Sequence, residues 1–359
     1  MRRSRDVVVR SLLTVLLTVA AAVLAGCGSQ EAGAGAAPFR LPVGSSEWEA
    51  SAPAWLADGT LHVGDRTVPL PGAVDSFVVA PTGAYWLRGS TLRFTDVAGT
   101  TRRVRDLERS EIAISADRST LAVVDASRGP TDSYGTHVAQ VAVFDTRTGQ
   151  QRYRTPDEEP DDGADLADLY EETTPLLQGV SDTTVFFDRA SIDIATGARA
   201  EVTQDSDGVD SFPGADTALF RDGFHVGVRS EGERRRPGAS TLDGVGALSP
   251  DRRWLFDLTT SSPPPIVYDA RTGRPQPLEL DADSFALVGW IDDRTFWGIG
   301  GTTGADEEFG GEEVTVSQQV LRCTVEQWRC VAASPQIPVP STSDADAPVS
   351  LLVEGALPL

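Results

Sequence analysis

Val143-Phe144-Asp145-Thr146-Arg147-Thr148-Gly149 returns twice more in the chain. It recurs as Ser191-Ile192-Asp193-Ile194-Ala195-Thr196-Gly197 and as Val267-Tyr268-Asp269-Ala270-Arg271-Thr272-Gly273. Looser copies are Phe94-Thr95-Asp96 with Gly99, and Val228-Arg229-Ser230 with Gly232. The pattern describes a hairpin. An apolar or β-branched pair ends a strand, Asp accepts hydrogen bonds from the turn backbone, and Gly takes the positive φ that other residues avoid.

A second element precedes the first. Ser115-Ala116-Asp117-Arg118 leads into Thr120-Leu121-Ala122-Val123-Val124, and Ser249-Pro250-Asp251-Arg252 leads into Trp254-Leu255-Phe256. Related turns sit at Ala57-Asp58-Gly59, Pro81-Thr82-Gly83, Ser181-Asp182-Thr183, Ala215-Asp216-Thr217 and Asp292-Asp293-Arg294, making seven. From 58, 82, 117, 182, 216, 251 and 293 the steps are 24, 35, 65, 34, 35 and 42 residues. Propeller blades run about 40–50 residues each. The expected fold is therefore all-β, a seven-bladed β-propeller of four-stranded antiparallel blades. The first blade, WLADGTLHVGDRTVPL, is one strand short, and Val349-Ser350-Leu351-Leu352-Val353 is expected to complete it and close the ring.

These blade motifs resemble those of WD-repeat, TolB-like and quinoprotein-like propellers over about residues 50–331. The WD dipeptide and the tryptophan-docking motifs of quinoprotein blades are absent, so the resemblance implies a fold and no cofactor. The layout also resembles propeller lipoproteins of actinobacteria, a family that implies no activity.

The N-terminus reads as export and anchoring. Arg2, Arg3, Arg5 and Arg10 precede an uncharged run over residues 11–25, too short for a spanning helix of about 20 residues. Leu24-Ala25-Gly26-Cys27 resembles the lipobox of bacterial lipoproteins, which implies cleavage before Cys27 and lipid on its thiol. The expected layout is a lipoprotein signal peptide at 1–26, a lipidated Cys27 with a Gly/Ala-rich flexible tether to 45, and the propeller over 46–359. The expected location is the outer face of a cell membrane.

The chain has 31 Arg, no Lys and no Asn. Lys and Asn both use AA-starting codons, so their absence suggests a GC-rich genome. It also removes Schiff-base and Walker-loop chemistry. Net charge is −22, and −25 without the basic leader. Such a surface repels nucleic acid and attracts basic partners or cations. Two cysteines remain, Cys323 and Cys330, and an extracytoplasmic pair with six residues between them reads as a disulfide across a hairpin.

The repeat also sorts the loops. Insertions at 125–137 and 300–314 join second to third strands, while 154–175 and 205–210 join blade to blade, so all four lie on one face. That face is acidic. Asp157, Glu158, Glu159, Asp161, Asp162, Asp165, Asp168, Glu171 and Glu172 crowd one loop, and Asp306, Glu307, Glu308, Glu312 and Glu313 another. Leu166, Leu169 and Tyr170 predict a short helical turn there, capped by Asp165. These carboxylates, with Tyr170, are candidates for holding a partner or a cation. Their other reading is solvated decoration. Arg234-Arg235-Arg236 is expected on the opposite face.

Nothing in the chain names a reaction. His62, His137 and His225 lack ligand spacing, and neither HExxH nor GxSxG occurs. Residues 205–210 depart from a calcium loop in the place of their glycine, leaving calcium as the one cofactor weighed. Trp86, Trp254, Trp290 and Trp297 read as core. The expected function is a monomeric, non-enzymatic binding module with a basic protein or peptide partner. The competing readings are a carboxylate-dependent hydrolase or lyase, and an assembly factor for a membrane complex.

Overall fold

Asp145 shows why the repeated turn forms. Its Oδ1 accepts the N–H groups of Arg147 and Thr148 and the Thr148 hydroxyl at 2.7–3.0 Å. Asp193 accepts the N–H and hydroxyl of Thr196 in the same way, and those bonds hold its carboxyl below the usual range. Gly149 and Gly197 take φ of 69° and 72°. The second element is equally regular. Ser115 and Ser249 donate to Asp117 and Asp251, and accept the N–H groups of Thr120 and Trp254.

A computed structural model describes residues 39–355 apart from 49–52, 110, 162, 173–176, 189, 202, 205–209, 212–220, 224–244, 252, 258–264, 270–273, 307–311 and 340–350. The first blade contains β1 (Ala54–Ala57), β2 (Thr60–Val63) and β3 (Arg66–Pro69). The second contains β4 (Ser76–Ala80), β5 (Gly83–Arg88), β6 (Thr91–Asp96) and β7 (Thr101–Asp106). The third contains β8 (Ile112–Ile114), β9 (Thr120–Asp125), β10 (Gln140–Asp145) and β11 (Gln151–Arg154). Helix α1 (Leu166–Glu172) precedes the fourth, made of β12 (Leu177–Val180), β13 (Thr184–Phe187), β14 (Ala190–Asp193) and β15 (Arg199–Glu201).

β16 (Thr203–Gln204) pairs with β17 (Asp210–Ser211). A five-stranded sheet follows: β18 (Arg221–Gly223), β19 (Val245–Leu248), β20 (Trp254–Asp257), β21 (Ile266–Asp269) and β22 (Arg274–Pro277). The last blade has β23 (Ser284–Trp290), β24 (Thr295–Asp306), β25 (Glu312–Thr324) and β26 (Arg329–Ala332), with β27 (Ile337–Pro338) beside β25. β28 (Leu352–Val353) returns to pair with β1, giving the order β28-β1-β2-β3.

The first blade is buried on both faces because it stands between the second and the last. In β1, Ala54 and Leu56 face the second blade with Phe77 and Trp86. The alternate residues Trp55 and Ala57 face the last blade with Trp297 and Val320. The same period of two divides the closing strand, with Leu352 on one side and Leu351 and Val353 on the other. Trp86 and Trp297 are core residues, and Trp254 and Trp290 pack against the core of the last two sheets.

Two expectations need correction. Among the described residues there are six blade-sized sheets, not seven. β18, which the repeat assigns to a fifth blade, joins the following sheet through β19. β18 contributes backbone pairing at the edge of that sheet. The turn at Ala215-Asp216-Thr217, His225 and the Arg234-Arg235-Arg236 run lie outside the described residues. The second correction is register. Asp58-Gly59 joins β1 to β2, the second and third strands of its blade, whereas Pro81-Thr82 joins a first strand to a second. The chain starts at a second strand, which explains the short 24-residue step.

Strands alternate in direction, so first-to-second and third-to-fourth turns share one end of the blades, the turn face. The remaining connections share the other, the loop face. The fold begins at Arg40, and residues 41–48 lie across the turn face of the second and third blades. Leu41 N–H donates to Gly149, Tyr85 donates to the Pro42 carbonyl at 2.7 Å, and Trp48 bonds Pro81 and Ala80. Burial and the nearby Asp145 charge keep the Tyr85 hydroxyl protonated. Gly149 sits so close that a Cβ there would lie 2.1 Å from the Leu41 carbonyl oxygen.

Cys323 and Cys330 face one another in the β25–β26 hairpin and are joined. Loop-closure entropy for so small a ring is about 2.5 kcal/mol. Replacing both with serine is expected to lower unfolding stability by about that amount, read from denaturant midpoints at constant slope. An unchanged midpoint would show that the hairpin does not need the link.

Candidate binding face

The acidic loop after β11 is held from three sides. Asp165 caps α1 by accepting the N–H groups of Ala167 and Asp168 at 3.1 and 3.2 Å. Asp132, from the loop between β9 and β10, accepts Leu166 N–H at 2.8 Å with its other oxygen bonded to Tyr134 and Thr136. Leu166 and Tyr170 are buried against Val124, Val141 and Val185. The Tyr170 hydroxyl accepts Ala139 N–H, and Arg109 stacks 4.6 Å above its ring. Tyr170 thus anchors the helix and is 5 % exposed, which turns it away from any partner on the surface.

Beneath the loop lies a buried polar cluster. Asp125 is 2 % exposed and meets Arg154 at 3.0 Å and Arg105 at 3.6 Å. Ser127 bonds its other oxygen, and Arg154 also bonds Gln140. Gln140 in turn donates to Asp157 at 2.8 Å and to the Thr155 and Pro156 carbonyls. The base of the acidic run is therefore fixed by the third blade.

The side chains of Asp157, Glu158, Glu159, Asp161, Asp165 and Asp168 are exposed. Among the described residues none of the six forms an ion pair. Asp162 lies outside the described residues, and Glu171 and Glu172 end α1 with only their backbone described. Asp306 ends β24, and Glu307 and Glu308 fall in the undescribed tip that follows. The second insertion is not a loop up to Asp306, because β24 and β25 continue as a long hairpin. The described backbone of this hairpin reaches the loop face from a different blade than the first group.

Asp132 is the residue that the repeat did not flag. Its signal is Thr131-Asp132-Ser133-Tyr134-Gly135, a turn in which Asp accepts from residues two and four ahead. Burial raises its pKa, but the bonds from Leu166, Thr136, Tyr134 and Gly135 outweigh that and leave it lowered. A lowered carboxylate stabilises the fold above its unfolded value of 3.8 and loses that contribution as pH falls below it. The protection factors of the α1 amides, taken relative to the intrinsic exchange rate at each pH, are expected to fall between pH 5 and about pH 3. Asp132→Asn should show low protection at both. Equal protection in the two proteins at pH 5 would remove Asp132 from the anchor.

Glu111 is the one described carboxylate whose pKa is raised, through burial. It bonds Leu177 N–H at the start of β12. His62 stacks flat on Trp55 at 3.6 Å, and burial lowers its pKa. His137 Nδ1 bonds the Gly129 carbonyl. Among the described residues no group of three His, Cys, Asp or Glu is arranged to hold a metal ion. Most of the 205–210 segment weighed for calcium, and Cys27 itself, lie outside them. No described helix is long and apolar enough to cross a membrane.

No protein-family model matches the chain, and no curated protein matches it. Solved propeller structures are similar in outline. A putative TolB from Agrobacterium tumefaciens is 10 % identical with a TM-score of 0.39, covering 79 % of this chain and 88 % of its own. TolB from Acinetobacter baumannii is 12 % identical with a TM-score of 0.37, covering 79 % and 63 %. A Mycobacterium tuberculosis puromycin-hydrolysing peptidase is 17 % identical with a TM-score of 0.30, covering 82 % and 47 %. The assignment as a propeller rests on the sheets themselves.

Proposed function

We propose that this protein is a membrane-anchored extracytoplasmic binding module that captures a basic protein or peptide on its loop face. One observation carries the reading. Six exposed carboxylates, without ion pairs among the described residues, stand on a segment that Asp132, Tyr170 and Gln140 hold in place. A held array loses less entropy on binding than a mobile one, and like charges held together favour an oppositely charged partner. The anchor is lipid on Cys27, and the partner meets the protein outside the cell.

The test uses nona-arginine as probe. Binding by calorimetry should weaken at least tenfold between 20 and 150 mM salt in the screened regime. It should weaken as much again when Asp157, Glu158, Glu159 and Asp161 become their amides. Equal affinity of the neutralised variant would overturn the loop face as the site. For the anchor, Cys27→Ser should move the protein from membranes to the soluble fraction.

A further inference from the structure

The hairpin of β24 and β25 outgrows its blade. β23 pairs with β24 only as far as Ser284 with Gly301, while β24 continues to Asp306. Asp283 fills the next place, where its N–H bonds Gly301 and its Oδ2 accepts Thr303 N–H at 2.8 Å. Beyond that point the β23 side of β24 has no strand beside it among the described residues.

The direction of each backbone group follows from alternation. Gly301 and Thr303 turn toward β23, so Gly304 turns toward β25 and Ala305 turns outward again. The bulge opposite does not disturb this, because the extra residue, Val316, is on β25. The Thr303 carbonyl and the Ala305 N–H and carbonyl are thus left at an open edge, and Ala305 is exposed. Natural open edges are blunted by Lys, Pro or inward charge. This one has Gly304 and Ala305 in their place. The charged residues that flank it in sequence are acidic. Asp281 and Asp283 are exposed beside it, and Asp306, Glu312 and Glu313 are the charged residues of the described hairpin end.

We propose that residues 303–305 of β24 are a strand-addition site for an extended basic segment of a protein partner, lying in line with β23. This rests on the loop face being the binding face, and gives its partner a shape as well as a charge. Backbone pairing supplies the affinity and carboxylates on either side select Arg or Lys side chains.

The probe is acetyl-Arg-Val-Arg-Val-Arg-Val-amide, beside a copy with every amide N-methylated. The full-length protein should bind the first at least tenfold more tightly than the second, since N-methylation keeps the charge and removes strand pairing. Ala305→Pro should lose tenfold as well, because its missing N–H points away from β25. Ala305→Val should bind like the unmodified protein. Equal binding of both peptides would overturn strand addition, as would an unaffected Ala305→Pro. Binding of nona-arginine with no binding of the hexapeptide would overturn it too, while leaving the acidic face standing. Loss of nona-arginine binding alone would overturn the acidic face, not the edge.

Discussion

A chain ended at residue 350 should not melt cooperatively. It lacks β28 and with it Leu351, Leu352 and Val353, which are 6 %, 3 % and 3 % exposed. Burying each such side chain contributes about 1.5–3 kcal/mol. The three together approach the whole stability of a typical domain, about 5–15 kcal/mol. The loss is also topological. β28 is the first strand of the first blade, and Leu351 and Val353 pack with Trp297 and Val320 of the last. Without it β1 becomes an open edge. Thermal circular dichroism should show a broad, low transition and size-exclusion chromatography should show association. A sharp transition within a few degrees of the intact protein would mean that the ring closes by other contacts.

Glu354→Ala should have the next largest effect. Just past β28, Glu354 forms a two-point ion pair with Arg118 at 2.6 and 2.7 Å and accepts Val79 N–H at 2.6 Å. Arg118 also donates to the Val79 carbonyl. The two side chains are 12 % and 10 % exposed, and they tie the first, second and third blades together on the turn face. Removing one member of a buried pair costs about 3–5 kcal/mol, chiefly from the charge left behind. At about 2–4 °C per kcal/mol for domains of 150–250 residues, Tm should fall on the order of 10 °C. The double variant with Arg118→Ala should lose less than the sum of the single losses. Additive losses would show that the pair is not coupled.

The turns were legible because their chemistry is local. Asp145 finds its partners within three residues, and Asp165 within three. The missing strand of the first blade was legible too, since an incomplete unit implies a donor elsewhere. The Arg118–Glu354 pair was not, because partners 236 residues apart leave no periodic trace. The same holds for Asp132 reaching Leu166. Asp58 misled because a turn residue looks alike in either connection of a hairpin, and only pairing separates them. The reach of β24 was hidden by Gly300-Gly301-Thr302-Thr303-Gly304, a composition that reads as loop and pairs as strand because β25 supplies the β-branched partners Val314 and Thr315. Of the candidate face, the charge was legible and the contacts from Asp132 and Gln140 were not.

Residues 41–48 fix a compass direction for the molecule. They fasten the start of the fold to Pro81 and Gly149, on the side away from α1 and the long hairpin. The first described residues of the fold are therefore held on the turn face, opposite the acidic loop. Only 12 residues separate Cys27 from Arg40, a span of at most about 47 Å. If lipid sits on Cys27, as proposed, an attachment of the fold through its turn face leaves the loop face free for a partner. A visiting chain would meet the acidic side first, without passing between protein and bilayer.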